Sequence, residues 1–142
     1  MSRKRKTGFK LVLADTGVLY ALSDQDDGQR EQANVLLQRL RDEGGISIRI
    51  PVHVTLELHR LRLYRKPFQA GAAWEQVNQL LERFDLEQAS AEDFDLAWSS
   101  LRRFPDQRIS LADALTAQMA LRLEARVLTF DRHFLLLGAT MV

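Results

Sequence analysis

The chain is predicted to be an α/β protein, a three-layer α/β/α sandwich around a short, mainly parallel central sheet. Short apolar runs of strand length alternate with longer segments whose apolar residues recur every three or four positions, the pattern of strands joined by helices. Two of the apolar runs, at 11–14 and 126–130, stop at an aspartate, Asp15 and Asp131. The 142 residues, 46% hydrophobic and 27% charged with no cysteine, can bury one core without disulfides and match neither disorder nor a secreted disulfide scaffold.

The elements follow in order. Leu11-Val12-Leu13-Ala14 reads as a buried first strand, and Thr16-Gly17 lead from Asp15 into the apolar run 18–22. After a polar connector at 23–28, Ala33, Leu36, Leu37 and Leu40 place one stripe on a helix ended by Gly44-Gly45. Residues 46–50 alternate with period two as a second strand, and Pro51 ends it in a position suited to a helix's opening turn. On the helix at 52–64, His53, Val54, Glu57, Leu61 and Tyr64 share one face. Pro67 breaks it, and Ala70, Ala73, Trp74, Val77, Leu80, Leu81 and Phe84 form the next stripe.

Residues 85–88 suggest a short third strand, and Ser90 an N-cap for a helix with Phe94, Ala97, Trp98, Leu101 and Phe104 facing inward. Both tryptophans are read as core residues because each sits on a helical stripe. Ser110 opens the most apolar helix, to about residue 124, with Thr116, Ala117, Ala120 and Glu124 on the face of Asp113; its small side chains leave space there. Residues 126–130 form a buried strand, and 139–142 a last edge strand after Gly138.

The net charge of +1 does not announce a nucleic-acid binder, although its distribution is uneven. Residues 1–9 form a flexible basic arm (Ser2-Arg3-Lys4-Arg5-Lys6), and Arg60, Arg62, Arg65 and Lys66 a second cluster; both can contact phosphates or simply be solvated. The arm and the apolar run behind it imitate a signal peptide, but Asp15 interrupts the run. No segment approaches the roughly 18 apolar residues of a membrane span. The absence of cysteine suits a reducing cytoplasm, where the protein is expected.

Asp15, Glu57, Asp113 and Asp131 form a candidate set, because ligands of open α/β sheets bind beyond the carboxyl ends of the strands. Each has a simpler role: Asp15 and Asp131 as caps of the turns after their strands, Asp113 in a capping box with Ser110, and Glu57 in solvent. If the four met in one cleft, each pair about 4 Å apart would repel by about 4 kcal/mol at an effective dielectric near 20, and the cluster would need protons or cations. Oxygen ligands without cysteine or a histidine cluster favour Mg2+ or Mn2+, the ions of phosphodiester chemistry.

Four motifs then carry a resemblance: Leu13-Ala14-Asp15-Thr16, Val54-Thr55-Leu56-Glu57, Ile109-Ser110-Leu111-Ala112-Asp113-Ala114 and Leu128-Thr129-Phe130-Asp131-Arg132-His133-Phe134. In this order and spacing the chain resembles PIN-domain ribonucleases, most of all VapC-type toxins of toxin–antitoxin pairs, from about residue 10 to 142 as one domain. The resemblance implies Asp15, Glu57, Asp113 and Asp131 as catalytic and metal-binding residues, with Thr129 and Thr16 as supporting hydroxyls. It further implies Mg2+- or Mn2+-dependent cleavage of RNA leaving 5′-phosphate and 3′-hydroxyl ends, a small antitoxin partner and a homodimer. The basic arm departs from the family pattern, and Arg102, Arg103 and Arg108 join the Arg-rich helix as candidate phosphate contacts.

The alternative is a non-catalytic module of this fold that binds RNA or protein, against which the four acids argue. Asp15-Thr16-Gly17 also matches aspartic proteases, but their fold is built almost wholly of strands. Haloacid-dehalogenase phosphatases place a second Asp where Gly17 stands here.

Overall fold

The computed structural model describes residues 9–142, so most of the basic arm lies outside the described residues. Along the chain run β1 (Leu11–Ala14), α1 (Thr16–Ser23), α2 (Arg30–Glu43), β2 (Ser47–Pro51), α3 (Val52–Arg65), α4 (Ala70–Arg83) and β3 (Asp85–Glu87). Then come α5 (Ala91–Ser100), a 3-10 turn (Leu101–Arg103), α6 (Leu111–Leu123), β4 (Arg126–Leu128), α7 (His133–Leu136) and β5 (Thr140–Met141). The sheet is parallel throughout, in the order β3-β2-β1-β4-β5.

β1 is the central strand, which explains its unbroken apolar run: a parallel strand is covered on both faces. Val12 and Ala14 join one core with Val18, Leu36, Leu37, Leu40, Val54, Leu58 and Val77, so α1 to α4 cover that side. Leu13 points the other way, into a core with Ala97, Ala114, Ala117, Met119 and Phe134 from α5 to α7. Gly44 and Gly45 end α2 at φ 73° and 68°, left-handed backbone that favours glycine. Pro51 is both the last residue of β2 and the N-cap of α3, where no backbone N–H is required.

Several sequence-based expectations are corrected. Trp74 is 61% and Trp98 62% exposed, so neither is a core residue. On α4 the buried line is Ala73, Val77 and Leu80, and Trp74 stands about 100° round the helix from Ala73. On α5 it is Asp93, Ala97 and Ser100, because Asp93 is tied to Arg122 of α6 and small neighbours let the helices approach; Phe94 and Trp98 are left outside.

The buried line of α3 is Val54, Leu58 and Arg62, and Tyr64 is 84% exposed. Arg62 is therefore not a phosphate contact. It is 1% exposed, donates to Gln76, lies 3.8 Å from Asp24 and sits 5.7 Å from the Tyr20 ring centre. Lys66 also turns inward, donating to Asp24 at 2.9 Å, while Arg60 and Arg65 remain exposed. The small residues of α6 leave no space: Thr116, Ala117 and Ala120 are buried. β4 ends at Leu128, so Asp131 lies beyond the strand end and is not the equivalent of Asp15.

Candidate active site

Four elements bring the acids to the carboxyl edge of the sheet. Asp15 follows β1 directly, and its backbone N–H continues the ladder by donating to the Leu128 carbonyl at 3.0 Å. Ala14 pairs with Leu128, so the residue one step beyond each strand is Asp15 on β1 and Thr129 on β4. The Thr129 hydroxyl donates to Asp15 Oδ2 at 2.9 Å and accepts the Asp131 N–H at 3.0 Å. Asp15 occupies the N-cap position of α1 but makes no capping hydrogen bond there; its carboxylate is turned to Thr129 instead.

Asp131 does cap its turn, accepting the His133 N–H at 2.9 Å, with His133 Nδ1 at 3.2 Å from the same oxygen. Asp113 lies in the first turn of α6, whose N-cap Ser110 accepts the Asp113 N–H at 3.0 Å. Glu57 lies half-buried in the second turn of α3. Thr16 is buried, and its Oγ1 has no hydrogen-bond partner.

The acids sense one another. Asp15 is 8% exposed and its pKa is raised from 3.8 to about 7, by burial first and then by the charge of Asp113, against the hydrogen bonds of the Thr129 hydroxyl and the Thr16 backbone N–H, with Glu57 adding to the rise. Asp113 is also pushed up, by burial and then by Asp131 and Glu57, while Ser110 opposes the shift. The structure thus brings all four predicted acids into one electrostatic unit. Among the described residues, Asp15, Glu57 and Asp113 form no salt bridge, and Asp131 meets only His133.

An all-oxygen donor set, three of whose four acids form no salt bridge among the described residues, fits a hard divalent ion. Among the described residues, no three Asp, Glu or His side chains are grouped closely enough to enclose an ion alone. Mg2+ does not require such a cage, since it retains waters and commonly binds through one or two carboxylates and substrate phosphates.

A family model described as the PIN domain matches residues 12–139, which hold all four acids. The chain belongs to the PIN domain family. No curated protein matches this PIN domain, but solved structures do. One is VapC20 of Mycobacterium tuberculosis, a toxin that cleaves the sarcin-ricin loop: TM-score 0.75 at 22% identity over 92% of this chain and 98% of that one. Another is VapBC2 of Rickettsia felis bound to a promoter DNA fragment, at TM-score 0.70 and 17% identity over 92% and 96%. A third is PAE2754 of Pyrobaculum aerophilum, at TM-score 0.61 and 19% identity over 92% and 83%. At these identities the likeness establishes the fold.

Beside the acids of this PIN domain lies a polar contact that the sequence does not announce. His53 Nε2 lies 2.7 Å from the Thr116 hydroxyl, joining α3 to α6. The signal was present: His53 shares the face of Glu57, and Thr116 that of Asp113, but nothing linear says that the two faces meet.

Proposed function

We propose that this PIN domain is a divalent-metal-dependent endoribonuclease that hydrolyses RNA phosphodiester bonds, the toxin of a toxin–antitoxin pair. The observation that carries this reading is Asp15, a buried carboxylate raised to about 7 beside Asp113, with no cation to compensate either among the described residues. An isolated cap would not be built at such cost, whereas a site that binds a dication needs this concentration of oxygen ligands.

In this reading Asp15, Glu57, Asp113 and Asp131 are the catalytic acids and hold Mg2+ or Mn2+, directly or through water. Bound there, the ion supplies the positive charge that acidifies an attacking water and stabilises the leaving oxygen. Thr129 orients Asp15 and the Asp131 backbone together. The unpartnered Thr16 hydroxyl serves as a second supporting group. Exposed Arg60, Arg65, Arg102, Arg103 and Arg108 are available to RNA phosphates. The likeness to VapC20 and VapBC2 supports an RNA substrate and an antitoxin partner; a homodimer working in the cytoplasm is part of the same proposal. Among the described residues no helix is long and apolar enough to cross a membrane.

The test is cleavage of a structured RNA with Mn2+ by wild type and Asp113→Asn, with and without EDTA. Wild type should cleave, and EDTA or the substitution should abolish it. Equal cleavage by both proteins would overturn the site.

A further inference from the structure

The two cores place α3 and α6 on opposite faces of the sheet: Val54 and Leu58 pack into one, Ala114, Ala117 and Ala120 into the other. Helices in different layers share no core that could set their mutual position. His53 bridges these helices: its Nε2 lies 2.7 Å from Thr116 Oγ1, and its ring also meets the Ala112 carbonyl at the start of α6. Each partner stands one helical turn from an acid of the site, His53 four residues before Glu57 and Thr116 three residues after Asp113. Asp15 and Thr129 need no such help, because the β1–β4 ladder carries both.

We propose that His53 and Thr116 act as a positioning pair that sets the separation of Glu57 and Asp113 across the cleft, without touching substrate themselves. Thr116 is wholly buried, so its hydroxyl is costly to leave unpaired, and the bond resists sliding of one layer over the other. Burial lowers the pKa of His53, against the Ala112 carbonyl and Glu57, which favours a neutral ring. The neutral ring can accept the Thr116 proton at Nε2 without adding a positive charge that would compete with a cation in the cleft.

The inference rests on the metal-site reading above, and its test separates the two. Mn2+ affinity is measured by calorimetry for wild type, Thr116→Val, Thr116→Ser and His53→Gln, with melting temperature alongside. Crystal structures of wild type and Thr116→Val report the distance from Glu57 to Asp113. Thr116→Val should stay folded, lose about 10-fold or more in Mn2+ affinity, as removal of groups that orient metal ligands does, and widen that distance. Thr116→Ser should restore both. An unchanged distance and affinity in Thr116→Val would overturn the pairing. If that variant fails to fold, His53→Gln decides the matter by the same two readouts. If wild type binds no Mn2+ and cleaves no RNA, the nuclease reading fails, and the crystallographic distance still decides the pairing.

Discussion

The Thr129 hydroxyl donates to the Asp15 carboxylate at 2.9 Å from the position one step beyond the paired residues Leu128 and Ala14. One threonine thereby orients an acid on β1 and, through the Asp131 N–H, the turn that carries another. Thr129→Val keeps the shape and removes both bonds. It should cost roughly 1–3 kcal/mol in urea unfolding, raise the Asp15 pKa further in an NMR titration, and lower RNA cleavage more than it lowers RNA binding. A titration of Asp15 unmoved by the substitution would contradict the contact.

Charge repulsion in the site has a sign that pH can expose. The Asp15 carboxyl holds its proton more tightly when folded, from 3.8 up to about 7, so its contribution to stability is full below 3.8 and is lost as pH rises through about 7. In EDTA, Asp15→Asn should therefore be more stable than wild type at pH 8, by up to roughly 4 kcal/mol, with the advantage gone near pH 4. Thermal unfolding at the two pH values checks this, and a variant less stable at both would return Asp15 to a purely structural role.

The acid limb is set elsewhere. Burial works to raise Asp24 and Asp93, but Lys66, the Asp26 N–H and Tyr20 outweigh it at Asp24, and Arg122 with Ser90 at Asp93, leaving both below the ordinary 3.8. Depressed carboxylates contribute stability above 3.8 that is lost as pH falls through their folded values. Metal-free protein should therefore be most stable near pH 4, above the folded values of Asp24 and Asp93 and before the loss at Asp15 builds up toward pH 7, and Asp93→Asn should flatten the acid limb of that profile.

Arg62 and Arg60 should separate under substitution. Arg62→Ala leaves Asp24 and Gln76 short of a buried partner and should cost roughly 3–5 kcal/mol, with cleavage per folded molecule unchanged. Arg60→Ala should leave the melting temperature alone and weaken RNA binding with a shallower salt dependence. Filter binding at two salt concentrations distinguishes the two.

Both tryptophans should be quenched by acrylamide in the folded protein nearly as well as in the unfolded chain, since Trp74 and Trp98 are each more than half exposed. Strong protection of either would place it in an interface.

The fold was legible in the linear pattern because a parallel strand covered on both faces leaves an unbroken apolar run, as residues 11–14 do, and helix stops are local chemistry, as at Gly44-Gly45. The four acids were legible as a set for a related reason: loops at one sheet edge converge. Periodicity was weaker at telling which part of an apolar stripe is covered. It placed Trp74 and Trp98 in the core, although the line that packs is Ala73-Val77-Leu80 on α4 and Asp93-Ala97-Ser100 on α5, set by how closely the neighbouring helices approach.

The sequence by itself determined the alternation of elements, the sheet edge and the acids gathered along it, since each depends on residues close in the chain. Only the tertiary structure decided that Thr129 rather than Asp131 stands opposite Asp15, that Arg62 turns inward while Arg60 stays in water, and that His53 meets Thr116. Those outcomes depend on strand register and on contacts between layers, joining residues as many as 114 positions apart, and no local preference encodes them.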